Sequence, residues 1–196
     1  MGSSPAMDAL TLLKNDHRAV ERLFKEFEKL GDRAHKGKRD VVDKIVTELS
    51  AHAAIEEQVF YPAVRKADPD IERQVLEALE EHHIVKWTLS ELDGMDSGDE
   101  RFDPKVTVLI ESVRHHVKEE EGDLFPKVRK VMKPKERQEL GEALDVAKRM
   151  APEKPHPRAP DTPPGNLLAG PPDAAVDKAE KAGKSAVRRA LSKVRR

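Results

Sequence analysis

The sequence contains no cysteine in its 196 residues. Disulfides, thiolate nucleophiles and cysteine-based zinc or iron–sulfur sites are therefore excluded, and any bound metal must be held by histidine, carboxylate or backbone oxygen. Aromatic residues make up only 4% of the chain, whereas charged residues make up 37%. This composition argues against a β-sandwich or barrel and favours long, solvated helices.

Long apolar runs are also missing. No stretch approaches the roughly 20 apolar residues that a membrane-spanning helix needs, and the N-terminus lacks the basic and apolar segments of a signal peptide. We therefore expect a cytoplasmic protein without membrane contact. The charge is uneven along the chain, because residues 1–150 carry a net charge of −6 and residues 151–196 a net charge of +5. An acidic body with a basic tail indicates a molecule in two parts.

The sequence does contain a clear helical pattern. Apolar residues recur every three or four positions in four segments, over about 7–30, 40–66, 68–93 and 103–132. Asp68 with Pro69, and Asp103 with Pro104, combine an N-cap residue with a proline suited to the first helical position. Short connections between such helices predict an all-α, up-and-down antiparallel four-helix bundle.

The C-terminal part has a different character. Residues 133–150 predict a short fifth helix with Leu140 and Leu144 on its inner side. Residues 151–172 contain eight prolines and predict an extended linker, and residues 173–196 predict a basic helix or tail. The expected organisation is a bundle over 1–150, a Pro-rich linker over 151–172 and the tail over 173–196. Within the bundle, Pro62 and Pro126 are expected to kink two helices.

Each of the four helices has a polar interruption in its apolar stripe. The positions that the helical period assigns to the core hold His17 in the first helix, His52 and Glu56 in the second, His82 in the third, and His116 and Glu120 in the fourth. A histidine and a glutamate four positions later lie on one helix face, roughly 6 Å apart along the axis, so both reach the same small volume.

These six residues predict a metal site. A single histidine at a core position is more often an ordinary core residue than a metal ligand. A buried ionised glutamate, in contrast, needs a cation, a hydrogen-bonded partner or a proton. No lysine or arginine is expected at an inward position to supply the charge. Imidazole with carboxylate suits iron, manganese or zinc. Six ligands exceed the four of a structural zinc site and predict two metals that share the glutamates.

An internal repeat supports this choice of residues. HAAIEEQVFYP (52–62) aligns without a gap on HVKEEEGDLFP (116–126), and DHRAVERLF (16–24) aligns on EHHIVKWTL (81–89). The repeat and the apolar stripe both select His82 rather than its neighbour His83. Surface or rim positions are expected for His83, His115, Glu119, His35 and His156.

Two further pairs of residues lie near the predicted ligands in the sequence. Glu57 and Glu121 lie one position past the stripe, where each would either orient a ligand histidine or be a plain surface charge. Tyr61 and Trp87 are expected to be packing residues.

The order and spacing of these residues resemble the hemerythrin-like (HHE cation-binding) family. The resemblance rests on His17, His52-x-x-x-Glu56, His82 and His116-x-x-x-Glu120, with FYP or LFP after each pair, and it covers about residues 7–150. It implies a left-handed four-helix bundle around a non-haem di-iron centre. It also implies that His17 and His52 ligate one iron, that His82 and His116 ligate the other, and that Glu56 and Glu120 bridge them.

One departure from the family bears on function. Oxygen-carrying hemerythrins present two histidines four apart on the third helix, whereas the positions four away from His82 are Ala78 and Lys86. The missing imidazole disfavours plain reversible oxygen carriage.

Three functions therefore stay open from the sequence. The first is a di-iron protein that binds or senses oxygen, nitric oxide or peroxide. The second is a di-iron enzyme that decomposes peroxide, in the manner of a catalase, or oxidises iron. The third is an interaction module whose basic tail makes weak contacts with a protein or with nucleic-acid phosphates. Because the tail has no aromatic residues to stack on bases, sequence-specific recognition is not expected.

Overall fold

The computed structural model of the chain describes residues 7–159, and within that range the chain is helical without a β-strand. The helices are α1 (Ala9–Glu28), α2 (His35–Ile55), α3 (Tyr61–Ala67), α4 (Glu72–Asp93), α5 (Phe102–Glu119), α6 (Phe125–Val131) and α7 (Pro134–Lys148). The predicted tail over 173–196, and the predicted linker after residue 159, lie outside the described residues. No helix between residues 7 and 159 combines the length and apolarity needed to cross a membrane.

The long helices pack side by side as a ring. α1 contacts α2, α2 contacts α4, and α4 contacts α5. Arg114 of α5 binds Glu21 and Glu28 of α1, which closes the ring. Arg39 near the start of α2 donates to the carbonyl of Leu92 near the end of α4, as antiparallel neighbours require. The all-helical bundle expected from the apolar periodicity is confirmed.

Two of the predicted helices contain a π-helical turn where a kink was expected. The turns cover Glu56–Phe60 and Glu120–Leu124, and they join α2 to α3 and α5 to α6. In each, the first backbone N–H after the turn donates five residues back, from Tyr61 to Glu56 and from Phe125 to Glu120. Pro62 and Pro126 follow directly. A proline has no N–H and clashes with the carbonyl four residues before it, and the widened turn accommodates both defects within a continuous helix.

The helix starts follow the predicted capping residues with one shift. Asp68 caps a short 3-10 turn (Pro69–Ile71) before α4, and its side chain accepts a hydrogen bond from the backbone of Asp70 at 3.0 Å. α5 begins at Phe102, so Asp103 lies in the first turn rather than at the cap. There it pairs with Lys38, a buried lysine of α2. The predicted N-cap is therefore wrong here: the cap is Arg101, and the helix begins two residues before the predicted first helical residue, Pro104.

Apolar side chains form two clusters with a polar layer between them. The first cluster lies toward α7 and includes Leu10, Leu13, Val59, Phe60, Val75, Leu124, Val128, Leu140 and Leu144. The second includes Val20, Phe24, Ile45, Leu49, Val85, Leu89, Val106, Leu109 and Val113. Along each long helix the polar residues around positions 17, 52–57, 82 and 116–121 fall between the two clusters. The fold thus places the six predicted ligands at one level of the bundle.

The predicted fifth helix is α7, and it covers one end of the bundle. It contacts α1 and α2, and Leu140 and Leu144 are fully buried, as predicted. Its approach to the start of α1 is close at Gly141. A Cβ at this position would lie 1.9 Å from the carbonyl oxygen of Met7 and 3.0 Å from the backbone nitrogen of Ala9. Only glycine allows the two backbones to meet here.

Gly141→Ala is expected to lower the free energy of unfolding by roughly 1–3 kcal/mol, because the added Cβ displaces backbone atoms in a packed contact. In an ordinary helix interior, replacing glycine by alanine raises the free energy of unfolding by roughly 0.5–1 kcal/mol. A close backbone contact and an ordinary helical position at Gly141 therefore predict changes of opposite sign. Chemical denaturation measures the difference. Gly31→Ala is the control, since a Cβ there meets nothing within 4 Å. A Gly141→Ala protein as stable as the Gly31→Ala protein would contradict the close contact.

Candidate metal centre

The polar layer of the bundle contains all six predicted ligand residues, and each is at most 6% exposed. Helices supply them from four directions. His17 lies on α1, His82 on α4, His52 near the end of α2 and His116 near the end of α5. Glu56 and Glu120 are the first residues of the two π-helical turns. Such turns often mark functional positions because they redirect side chains within a helix.

The candidate ligand atoms fall into two overlapping groups. His17, His52, Glu56 and Glu120 form one group, and Glu56, His82 and His116 form the other; within each group all ligand atoms lie within 4.8 Å of one another. Glu56 belongs to both groups. The structure therefore brings together every residue of the predicted set, with four protein groups on one side and three on the other.

The four imidazoles meet in pairs, and a glutamate lies between the pairs. The Nε2 atoms are 3.1 Å apart in His17 and His52, and 3.2 Å apart in His82 and His116. Glu56 Oε2 is 3.1 Å from Nε2 of His52 and 3.4 Å from Nε2 of His82. Glu120 Oε2 is 3.4 Å from Nε2 of His17 and 3.8 Å from Nε2 of His116. Each carboxylate thus faces one histidine of each pair, as a bridging ligand would.

Outer carboxylates contact the other ring nitrogen of three histidines. The Nδ1 atoms donate to Glu121 from His17 at 2.9 Å, to Glu57 from His82 at 3.2 Å, and to Glu81 from His116 at 2.7 Å. An ionised carboxylate only accepts hydrogen bonds. In a neutral imidazole the proton is therefore on Nδ1, and Nε2 presents a lone pair to the centre of the layer.

His52 has the loosest outer contact of the four. Its Nδ1 lies 3.7 Å from Oδ2 of Asp16, which is too long for a hydrogen bond. Lys148 of α7 holds the other oxygen of Asp16 at 2.6 Å. The pairing of histidine with an outer carboxylate is therefore complete at three positions and open at the fourth.

Three of the four oxygens of the two inner carboxylates lack a hydrogen-bond donor. Both oxygens of Glu56 and Oε2 of Glu120 are buried without a hydrogen bond, although Nε2 atoms of the histidines are close. A lone pair facing a carboxylate oxygen gives no hydrogen bond, and an unpaired buried carboxylate costs several kcal/mol. Four ring nitrogens and two carboxylates thus meet in one small volume, where the carboxylate oxygens need either a cation or protons.

Without a cation, protonation of Glu56 neutralises one of the two buried carboxylates. Burial and the charge of Glu120 raise the pKa of Glu56 well above its usual range. Burial also opposes ionisation of Glu120, but the nearby imidazoles of His17, His116 and His52 lower its pKa overall. Burial lowers the pKa of His52 to about 4 despite the nearby Asp16. His52 is therefore neutral at ordinary pH, as a metal ligand must be.

The expectation that no lysine points inward is wrong at Lys38, which pairs with Asp103 away from the polar layer, and at Lys86 within it. Lys86 is buried on α4, and its Nζ lies 2.8 and 2.9 Å from the two oxygens of Glu57. Its charge is taken up by that outer carboxylate, so the inner pair gains no lysine partner. Lys14 similarly binds Glu121 at 3.0 Å. Both oxygens of Glu56 and one oxygen of Glu120 therefore still lack a hydrogen-bond donor, as a cation site would.

Four further carboxylates lie around the candidate ligands. Glu57 and Glu121 accept hydrogen bonds from His82 and His17, so both have the orienting role, one of the two roles that the sequence allows. The apolar pattern does not select Asp16 or Glu81, yet each directly precedes a predicted ligand at the same position of the internal repeat. An acidic residue repeated beside a repeated ligand was the available signal.

Tyr61 is buried as expected, but it is more than a packing residue. Its hydroxyl donates to Oε1 of Glu120 at 3.0 Å and lies 3.4 Å from Nε2 of His82. The equivalent residue of the repeat is Phe125, whose ring stacks on His17 with centroids 6.0 Å apart. The two halves of the layer therefore differ at this position in the presence of a hydroxyl group.

The histidines expected outside the site do not join either buried group. His83, His115 and His35 are exposed, and His156 is partly buried. His115 belongs to a third acidic group with Glu81 and Glu119 at the surface. Trp87 is 47% exposed and contributes little to the core.

A cavity of about 320 Å³ borders the histidines on the side of the second apolar cluster. Its walls combine the four imidazoles with apolar side chains, and charged residues line its outer part. The apolar walls are Val20, Phe24, Leu49, Ala53, Val85, Val113 and Val117, and the charged residues are Arg18, Glu21, Arg114, Lys118 and Glu121. The cavity gives a small molecule a largely apolar route to the Nε2 atoms.

Known proteins share this sequence pattern and fold. The family model of the hemerythrin HHE cation binding domain matches residues 8–128. A hemerythrin-like protein of Schizosaccharomyces pombe is 31% identical over 137 residues, which cover 69% of this chain and 68% of the relative. A Nostoc protein named DNA nickase is 27% identical over 142 residues, which cover 72% of this chain but only 39% of the relative.

A solved structure supports the same fold. The crystal structure of a hemerythrin HHE cation-binding domain-containing protein from Mycobacterium kansasii superposes with a TM-score of 0.62 at 24% identity. The match covers 73% of this chain and 86% of that chain. At this identity the comparison establishes the helical fold, and the arrangement of the polar layer stands on its own geometry.

Proposed function

Because the chain belongs to the hemerythrin HHE cation-binding family, we propose that it is a non-haem di-iron protein that binds or senses a small ligand such as oxygen, nitric oxide or peroxide. The observation that supports this most directly is the pair of buried glutamates, which face both histidine pairs yet have oxygens without a hydrogen-bond donor. In this proposal one iron is held by His17 and His52 and the other by His82 and His116, with Glu56 and Glu120 shared.

The donor set fits a pair of iron ions. Imidazole nitrogen and carboxylate oxygen without sulfur suit iron, manganese and zinc. Shared carboxylates between histidines from facing helices are a known way for a four-helix bundle to hold two ions. When bound, the irons would supply ligand binding and one-electron redox chemistry.

The residues of the chain set the conditions at this centre. Glu121, Glu57 and Glu81 hold three imidazoles in orientation and keep their inner nitrogens free of protons. The apolar walls of the cavity beside the histidines exclude bulk water and favour small neutral molecules over ions. The four helices and these hydrogen bonds therefore hold the imidazoles in the orientation that metal binding requires, even without the metal.

A di-iron enzyme that decomposes peroxide or oxidises iron is the second candidate. The observation that favours it is the unequal protein ligation, with four residues in one group and three in the other, which leaves room for a substrate on one metal. Iron-loaded protein that leaves peroxide and Fe(II) with oxygen unchanged would rule it out. The relative named DNA nickase is matched over a minor part of its length, and nickase activity is not proposed for this chain.

Iron-loaded protein is expected to contain two irons per chain, and His52→Ala is expected to weaken iron binding by roughly 100-fold or more, since even an outer partner of a ligand contributes 10–100-fold. Metal analysis and the absorption spectrum measure both. His83→Ala is the matched control, because His83 is the exposed neighbour of a predicted ligand and should leave iron content unchanged. Wild-type protein that takes up no iron, and is equally stable with and without it, would overturn the proposal.

A further inference from the structure

A second, smaller cavity, the acidic pocket, borders the polar layer on the side of the first apolar cluster. Its volume is about 110 Å³, and it lies between α4 and the end of α5 with the π-helical turn that follows. Among the described residues that line it, five are carboxylates and none is lysine or arginine. The five carboxylates are Glu77, Glu81, Glu119, Glu120 and Asp123.

The acidic pocket extends from the protein surface to two of the predicted metal ligands. Glu77, Glu119 and Asp123 are exposed, whereas His116 and Glu120 at its inner end are only 5% and 2% exposed. Glu120 Oε2 is buried without a hydrogen-bond donor. Because a buried carboxylate oxygen without a donor needs a positive charge nearby, the inner end of the pocket points to a cation as the species that enters.

A third group of candidate ligands lies at the outer part of the pocket and is connected to the inner ones. Glu81, His115 and Glu119 offer ligand atoms within 4.8 Å of one another. Nε2 of His115 is 3.3 Å from Oε1 of Glu119 and 3.9 Å from Oε1 of Glu81. The other oxygen of Glu81 accepts a hydrogen bond from Nδ1 of His116 at 2.7 Å. Glu81 therefore links a ligand group at the surface to the buried centre.

The charges of the two cavities differ. The cavity beside the four imidazoles has apolar walls and, in its outer part, three basic and two acidic residues. Within residues 7–159, no lysine or arginine forms an ion pair with a carboxylate of the acidic pocket; Lys127 binds Gln74 at its edge instead, at 2.8 Å. A cleft lined by charges of one sign concentrates ions of the opposite sign and raises their association rates. The acidic pocket is therefore the cavity that attracts cations.

We propose that the acidic pocket is the route by which a divalent cation reaches the polar layer, and that Glu81, His115 and Glu119 bind the cation before it enters. Imidazole with carboxylate suits the same metals at this outer group as at the centre. The inference rests on the proposed metal-binding function, but it concerns the path of the metal and not its final ligands. His116 borders both cavities. Metal and small neutral ligand thus approach the centre from the sides of different apolar clusters.

Stopped-flow measurement of Co(II) uptake by the metal-free protein tests the route, since Co(II) bound to protein absorbs visible light. The variant Glu77→Gln/Asp123→Asn removes two exposed charges of the pocket. It is expected to lower the second-order rate constant at least about 3-fold at low ionic strength, which is part of the roughly 10–10³-fold that a focused field contributes. The two Co(II) ions bound at equilibrium should be unchanged. Lys127→Gln is expected to raise the rate.

A second variant provides the matched control. Asp40→Asn/Glu111→Gln makes the same change of charge at two exposed carboxylates outside the pocket, and its rate should stay close to that of wild type. At 1 M salt, where charges are screened within roughly 3 Å, the rates of all the variants should converge.

Equilibrium titration with Co(II) tests the outer group. A third ion is expected to bind more weakly than the two in the polar layer. His115→Ala should bind this third ion at least 10-fold more weakly, because even an outer partner of a ligand contributes roughly 10–100-fold. His83→Ala is the control, since His83 is an exposed histidine that belongs to none of the three ligand groups.

The outcomes separate this inference from the proposed function. Wild-type protein that takes up two Co(II) ions at a rate independent of salt overturns the route and leaves the metal centre intact, as does a pocket variant as fast as its control. A titration that ends at two ions overturns the outer binding group. Wild-type protein that takes up no Co(II) overturns both the inference and the proposed function. The salt dependence of the wild type decides the question even when a variant folds poorly.

Discussion

Removing the metal from iron-loaded protein is expected to lower the free energy of unfolding by about 4 kcal/mol or more, because a ligand at 1,000 times its dissociation constant contributes about 4.1 kcal/mol per site. For a chain of this size each kcal/mol corresponds to about 2–4 °C, so the melting temperature should fall by roughly 8–16 °C. The physical cause is the pair of buried glutamates, which lose their cation and are left with oxygens that accept no hydrogen bond. Calorimetry with and without a chelator measures the effect.

Glu56→Gln provides a control for this experiment. The amide is neutral at any pH, so the metal-free variant avoids the cost of protonating a carboxylate beside Glu120 and is expected to be at least as stable as metal-free wild type. Iron should stabilise the variant much less. A wild-type protein that contains two irons but melts at one temperature with and without them would contradict the expectation.

Replacing Lys86 by methionine is expected to lower the free energy of unfolding by about 3–5 kcal/mol, since removing one partner of a buried ion pair leaves the other charge uncompensated. Lys86 and Glu57 are both buried, with Nζ 2.8 Å from Oε1. Methionine has a similar length, so the core keeps most of its volume. Denaturant titration of the metal-free protein isolates this effect from metal binding.

Two further variants sharpen the Lys86 experiment. Lys25→Met removes an exposed lysine that pairs with Glu21 four residues earlier, and such surface pairs contribute about 0.3–0.5 kcal/mol. Adding Glu57→Gln to Lys86→Met should recover part of the loss, because the buried charge is then gone. Equal losses for Lys86→Met and Lys25→Met would show that the buried pair has no special role in stability.

One pattern in the sequence predicts both the helical fold, which is confirmed, and the six inner residues of the candidate metal centre, whose role as ligands stays a prediction. Apolar residues at three- and four-residue spacing define the inward face of a helix, and a histidine or glutamate on that face must be buried with its neighbours. His17 and Glu56 are found where this rule places them. The internal repeat then selected His82 over His83, and the exposure of His83 agrees with that choice.

The outer shell was harder to predict because helical periodicity does not describe it. Successive residues of an α-helix point about 100° apart, so a regular helix that buries Glu56 turns Glu57 away. Glu57 is nevertheless buried beside Lys86, whereas the equivalent Glu121 is partly exposed, although a π-helical turn begins one residue before each. Lys86 is buried against Glu57, with which it forms an ion pair. The apolar pattern of a single helix does not predict an ion pair between two helices. The packing role predicted for Tyr61 considers only its ring, whereas its hydroxyl group also donates to Glu120.

The contacts between histidines and outer carboxylates also link the long helices. Each joins different long helices: His17 of the first to Glu121 of the fourth, His82 of the third to Glu57 of the second, and His116 of the fourth to Glu81 of the third. The looser approach of His52 to Asp16 spans the remaining neighbours. Every seam between adjacent helices therefore has an imidazole beside a carboxylate of the neighbouring helix, at the level of the candidate metal centre. At three seams this contact is a hydrogen bond, whereas at the seam between the first and second helices His52 and Asp16 make none with each other.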